Sequence, residues 1–369
     1  MRTILVDPGR EDAPMILAVS GADDVAVLVA GILVVVTVVG SAARTVVLPD
    51  GRTPRMARAT FTVAALVGKG LARVVGPGPR RHLVLSATPA FALLSMPVIW
   101  LAGAMAGFTL VFRALEEDGW RAAYRAAGSS LLTLGFASFE DLPGLTAAFL
   151  AAAISISILA LLIVTYLPTL YSVYSRREAI TTAFETSAGE PPEAAELLIR
   201  FHVLASPERL DLIWTEWRDW FNESRETHTA LPMVVLFRSA RADRSWVVTT
   251  AAVLDAAALA VSTIDAPYDP IAALCIRSGY LCLRDIATPH GIAFETDPSP
   301  SDPISIARED FDASYDKLAV AGLPLHDRED AWHAFAGWRV NYDSLVVDLA
   351  RLISVDPPEL TKRPSPLPL

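Results

Sequence analysis

Three apolar runs decide most of what this chain can become. They lie near residues 25–42 ("VAVLVAGILVVVTVVGSA"), 83–112 and 145–171. A helix crossing a bilayer needs about 20 such residues, with a range of roughly 17–25 and more when tilted, and each run reaches that range. Composition agrees: 53% of the residues are hydrophobic and the mean hydropathy is +0.40, where soluble domains hold roughly 45–50% apolar residues. The runs are confined to the first half of the chain. The expectation is an all-α membrane protein with a tail over 1–24, a transmembrane part over 25–176, an all-α soluble domain over 177–355 and a proline-rich, disordered tail over 356–369. The first run is not read as a cleaved leader, because Asp23 and Asp24 rather than basic residues precede it.

Charge gives the spans a direction. Between the first two runs stand Arg44, Arg52, Arg55, Arg58, Lys69, Arg73, Arg80 and Arg81 against the acid Asp50. Lys and Arg collect on the cytoplasmic side, so this link is expected inside, the N-terminus outside, and the third span returning to Arg176 and Arg177 inside, with the soluble domain cytoplasmic and the plasma membrane as the location. Within the link, residues 56–75 are apolar on one side and basic on the other, between Pro54 and Gly76-Pro77. This is expected to be a helix lying on the inner leaflet with Lys69 and Arg73 toward anionic headgroups; a fourth span there would break the charge pattern. The net charge of −10 and the absence of a basic face in the soluble half exclude a nucleic-acid partner.

Between the second and third spans, "LEEDG" leads into "WRAAYRAAGSSLL", about thirteen residues of helix formers, and then directly into "TLGF". That helix is too short to span, and Arg121 and Arg125 would not face lipid. It fits a re-entrant helix, tolerated where backbone is buried in protein or lines water. The order of outer helix, short helix over 120–132, extended element and inner helix resembles the pore module of the potassium-channel superfamily. The resemblance covers the first half of the chain. In that family, four T-V-G-Y-G loops turn backbone carbonyls toward the ion in place of its hydration shell. Aligned on the glycine, Thr133, Leu134, Gly135, Phe136, Ala137 and Ser138 fall on the selectivity filter. The resemblance implies a monovalent cation, potassium for the family, held at Thr133, Leu134 and Gly135, with Phe136 packing outward as a spacer. Here the filter reads TLGFAS: Ala137 stands where the family has a second glycine, and Ser138 where an Asp commonly follows. Ala137 is expected to bear a positive φ at a cost of roughly 1 kcal/mol or more. Glu140 and Asp141 would line the outer mouth or reach Arg121 or Arg125 to brace the strand. Glu116, Glu117 and Asp118 read as solvated loop charge. One loop per chain implies a homotetramer. The alternative is that "TLGF" is merely a loop, in a non-conducting membrane-anchored sensor or scaffold acting through its cytosolic domain.

The third span has no glycine after Gly144; Pro168 near its inner end is expected to bend it and form the gate. Ser155 and Ser157 are candidates for cavity lining, and Tyr166, Tyr171 and Tyr174 suit an interfacial belt. In the soluble half, Leu210, Ile213, Trp214, Trp217 and Phe221 recur at helical spacing behind a Ser206 cap and Pro207, a core stripe. The run over 245–264 nearly reaches spanning length, but Asp255 at its middle would cost about 2.5–3.5 kcal/mol in a bilayer. It is expected to be a buried helix whose acid pairs with Arg277 or Arg284. Cys275 and Cys282 lie seven apart, about 10 Å along a helix, beyond the roughly 4.4–6.8 Å of a disulfide. No metal-ligand spacing, phosphate loop or nucleophile–base grouping is present, so neither an enzyme nor a cofactor is expected, and a cytosolic ligand has no motif to name it.

Overall fold

The computed structural model describes residues 21–46, 55–76, 78–115, 119–139, 141–204, 209–241 and 244–355. Residues 1–20, Glu116–Asp118, Glu140, Ser206, Pro207 and the tail over 356–369, for each of which the sequence suggests a role, lie outside them. The helices are α1 (Ala22–Val46), α2 (Arg55–Val75), α3 (Pro79–Leu115), α4 (Trp120–Leu131), α5 (Leu142–Ala160), α6 (Leu167–Ala188), α7 (Ala194–Val203), α8 (Leu210–Ala230), α9 (Trp246–Thr263), α10 (Pro270–Ala287), α11 (Arg308–Val320), α12 (Arg328–Arg339) and α13 (Asp343–Leu352). A π-helical turn over Leu161–Tyr166 joins α5 to α6. Among the described residues there is no strand, only a single bridge between Ile264 and Leu325. The protein is therefore all-α. Four helical stretches are long and apolar enough to cross a membrane: Ala22–Thr45, Pro79–Leu115, Leu142–Ala188 and Trp246–Thr263.

The chain divides into two compact units, residues 1–42 with 97–162, and residues 43–96 with 163–369. The sequence expectation divides the chain at 176/177. Helix α2, the first half of α3 and all of α6 belong with the C-terminal unit. The physical reason is length: the 37 residues of α3 extend about 55 Å at 1.5 Å per residue, well past a hydrocarbon core of about 30 Å.

In the first unit, α1 lies on α3 through glycines. A Cβ on Gly107 would stand 2.7 Å from a Val35 methyl and 3.1 Å from the Gly31 carbonyl, and one on Gly103 would stand 2.7 Å from Val38. Only hydrogen fits at these positions, so the backbones approach closely, as small residues four apart allow in apolar surroundings. Trp100 is buried beside them, its indole N–H 3.4 Å from Ser41 Oγ. At the far end of α3, Phe112 stacks on Phe139 with centroids 5.3 Å apart.

In the C-terminal unit, α9 is the central element. It touches α6, α7, α10, α12 and α13, and 83% of its apolar window is buried, against 28% for the windows in α1 and in the α5–α6 stretch. Trp214, Trp217, Trp220 and Phe221 of α8 close one side, so the apolar stripe read from the sequence is core. Asp255 is fully buried, but its partner is neither Arg277 nor Arg284. Arg339 of α12 pairs with it, and the Tyr342 hydroxyl donates to the same oxygen at 2.9 Å. Arg339 also holds Asp343 at 2.8 Å, which in turn accepts from the Ser305 N–H and hydroxyl at 2.7 Å each. Burial pushes the Asp255 carboxyl up, and Arg339 and Tyr342 pull it back down. Cys275 and Cys282 are free and buried.

Two further features anchor this unit. Arg177 of α6, placed at the cytoplasmic flank by the sequence, is fully buried: its guanidinium donates to the Val234 carbonyl at 3.0 Å and the Phe237 carbonyl at 2.6 Å, between the rings of Tyr174 and Trp246. Helix α2 packs on the first half of α3 where Gly68 meets Thr88. Its opposite flank leaves Val63, Leu66, Val67 and Val74 more than half exposed.

Candidate functional site

The short helix α4 ends at Leu131, and the chain turns back along it. Ser129, only 2% exposed, receives the returning segment. Its carbonyl accepts the N–H of Leu134 at 2.8 Å and of Gly135 at 3.5 Å. Its hydroxyl oxygen accepts the N–H of Phe136 and of Ala137, both at 2.9 Å. Four consecutive amide groups thus point at one residue. Because a trans peptide sets its C=O opposite its N–H, the carbonyls of Thr133, Leu134, Gly135 and Phe136 turn together the other way, off α4.

An ordinary extended strand alternates its carbonyls, so this arrangement requires left-handed residues. Gly135 has φ +71° and Thr133 φ +54°. Glycine takes that conformation freely, whereas a β-branched residue there is a strained outlier. Here the expectation from sequence is corrected: Ala137 has no positive φ, and Thr133 carries the strain instead. The Thr133 hydroxyl donates to the Leu132 carbonyl at 2.8 Å, which offsets part of that cost while leaving its oxygen lone pairs open.

The remaining predicted residues separate by role. Leu134 and Phe136 are exposed at 59% and 55% in the single chain, and Ser138 is exposed too. The Arg125 guanidinium lies over the Phe136 ring, 6.0 Å from its centroid. Asp141 braces neither Arg121 nor Arg125; it caps α5, its carboxylate accepting the Gly144 N–H at 3.1 Å. The strand is therefore tied at both ends, by Ser129 behind and by a capped helix in front. Ser155 is buried and Ser157 exposed. Two residues apart on a helix they point about 200° from one another, so the two cannot line one cavity as the sequence suggests. Pro168 sits at the start of α6, straight after the π-helical turn over Leu161–Tyr166. Proline clashes with the carbonyl four residues back, and the wider π turn takes up that clash.

Among the described residues no cluster of His, Cys, Asp and Glu could hold a metal ion. No protein-family model, curated protein or solved structure matches this chain. The C-terminal unit contains a cavity of about 460 Å³ bordered by Gly189, Glu196, Arg200, Lys317 and Val320, within the size of small-molecule sites. Ion pairs Glu193–Lys317 and Glu196–Arg200 close its rim.

Several residues that matter here escape a sequence reading. Ser129 carries a faint signal, a polar residue in an alanine-rich helix four places before Thr133. Gly103 and Gly107 carry a clearer one in their spacing. The burial of Arg177 carries none, since the carbonyls it meets lie 57 and 60 residues away, and the pairing of Arg339 with Asp255 spans 84 residues.

Proposed function

We propose that this chain is one subunit of a homotetrameric cation channel related to the potassium-channel superfamily, with the altered filter Thr133–Ser138. Three of the four apolar stretches, in α1, α3 and α5–α6, are its membrane spans; α9 is a core helix of a cytoplasmic domain. The N-terminus is outside the plasma membrane, α2 lies on the anionic inner leaflet, and α4 with its strand re-enters from the outer side.

One observation carries this reading. The four amide groups of residues 134–137 converge on Ser129, which leaves the carbonyls of 133–136 aimed as a set away from the protein that holds them. A row of aligned peptide oxygens is what replaces a cation's hydration shell. A single chain supplies one row, and four rows around an axis complete the coordination. The exposure of this strand in the single chain supports that assembly. The permeant species is a monovalent cation, potassium by resemblance, at the carbonyls of Thr133, Leu134 and Gly135.

Reconstitution tests it. Full-length protein in potassium-loaded liposomes dissipates a potassium gradient, and Gly135→Val abolishes the flux, because a β-branched residue resists φ +71°. Liposomes that stay tight with wild-type protein would sink the channel reading and favour a non-conducting membrane-anchored sensor or scaffold.

A further inference from the structure

We infer that Arg125 is a specificity-determining residue of this pore, one that keeps divalent cations out of the outer half of the filter. The inference rests on the channel reading above.

The guanidinium of Arg125 stands against Phe136, 6.0 Å from the ring centroid, on the side chain next to the carbonyl row. Arginine is permanently charged, and contact with a ring face fixes its position without neutralising it. Arg121, one turn earlier, shares the exposed face of α4. Among the described residues no carboxylate pairs with Arg125; Asp141 turns instead to the Gly144 N–H and keeps its own charge. The filter strand itself offers dipoles and no net negative charge. Four-fold repetition therefore sets a ring of guanidinium charge behind the outer filter.

Repulsion from fixed charge is linear in the valence of the passing ion. A potassium ion is penalised once, a barium ion of similar size twice. Carbonyl dipoles attract both, so the balance shifts against the divalent ion most strongly. The same ring weakens monovalent occupancy to a lesser degree, which speeds exit from the filter.

The test uses full-length protein in liposomes, with potassium flux measured against external barium. Arg125→Gln removes the charge; Arg125→Lys keeps it and loses the planar contact. R125Q is expected to be inhibited at about ten-fold lower barium than wild type, while its half-saturating potassium falls about three-fold, the square root that the valence ratio demands. R125K is expected to stay near wild type. If wild-type protein conducts and R125Q shows unchanged barium inhibition, or if R125Q and R125K shift alike, the inference is overturned and the channel reading stands. If wild-type protein does not conduct, the channel reading fails and takes the inference with it. Should R125Q assemble but not conduct, Arg121→Gln carries the test, since among the described residues Arg121 makes no ring contact or ion pair. It is expected to shift barium inhibition in the same direction by a smaller factor, and no shift overturns the inference.

Discussion

Replacing Ser129 with alanine probes the proposed filter directly. The change removes one oxygen that accepts two amide groups, Phe136 and Ala137, each at 2.9 Å. A hydrogen bond of this kind contributes about 0.5–1.5 kcal/mol net, so the loss is about 1–3 kcal/mol per chain and about 4–12 kcal/mol over a tetramer. Against it stands the strain at Thr133, φ +54°, where left-handed backbone costs roughly 1–2 kcal/mol. The two are of similar size, so without the hydroxyl the strain is no longer outweighed. The bonds that remain, Thr133 N–H to the Ser130 carbonyl at 3.1 Å and Leu134 and Gly135 N–H to the Ser129 carbonyl at 2.8 and 3.5 Å, hold only the first half of the segment. Under the proposed function, the expected outcome in liposomes is a variant that assembles normally by size-exclusion chromatography but loses discrimination between potassium and sodium relative to wild type. Ser129→Thr retains the acceptor and retains selectivity. An alanine variant with wild-type flux and an unchanged potassium-to-sodium ratio would refute the argument that Ser129 aligns the carbonyls.

Other perturbations reach the scaffold. Gly107→Leu forces a side chain into the 2.7 Å space beside Val35 and should lower stability in detergent by about 1–3 kcal/mol, read from the thermal midpoint; Gly40→Ala, at a position with open space, should not. Asp255→Ala leaves Arg339 buried with Asp343 alone and should cost about 3–5 kcal/mol in urea unfolding, part of it recovered by adding Arg339→Met. His228 is buried beside Arg177 and Trp246, and burial pushes its pKa down from 6.5 to about 3. The unfolded chain therefore binds a proton that the folded chain refuses, so stability is full above pH 6.5 and falls by up to about 1.4 kcal/mol per pH unit as pH drops toward 3. Tryptophan fluorescence during acid unfolding should show that slope, and His228→Phe should flatten it.

Much of this architecture could be read from local pattern. The run over 25–42 lies within α1 (Ala22–Val46), that over 83–112 within α3 (Pro79–Leu115), and the helix predicted over 120–132 differs from α4 by a single residue. Apolar length and helix propensity are properties of neighbours in sequence, so such elements are visible. The interruption of the third run by a π turn at Leu161–Tyr166 is not visible, because Pro168 predicts a bend without saying how the preceding backbone absorbs it. Within the site, the resemblance indicates Thr133 to Ser138, while for a brace the sequence points to the acids that follow. Asp141 proved to cap α5, and the brace is the hydroxyl of Ser129, inside a helix where serine ordinarily has no such role. Asp255 shows the same limit: its burial followed from composition, its partner Arg339 from a fold that brings together residues 84 apart.

That separation matters while the chain is being made. Helix α9 is apolar enough to be mistaken for a span, with a mean hydropathy of 1.6 over its 18 residues. When it leaves the ribosome, Arg339 has yet to be synthesised, and Asp255 is a bare carboxylate. Under the three-span reading proposed above, its aversion to hydrocarbon, about 2.5–3.5 kcal/mol on insertion scales, weighs against entry of the segment into the bilayer. The arginine that arrives later makes the same acid a tenable part of a dry interior, so one side chain acts first as a sorting mark and afterwards as half of an ion pair.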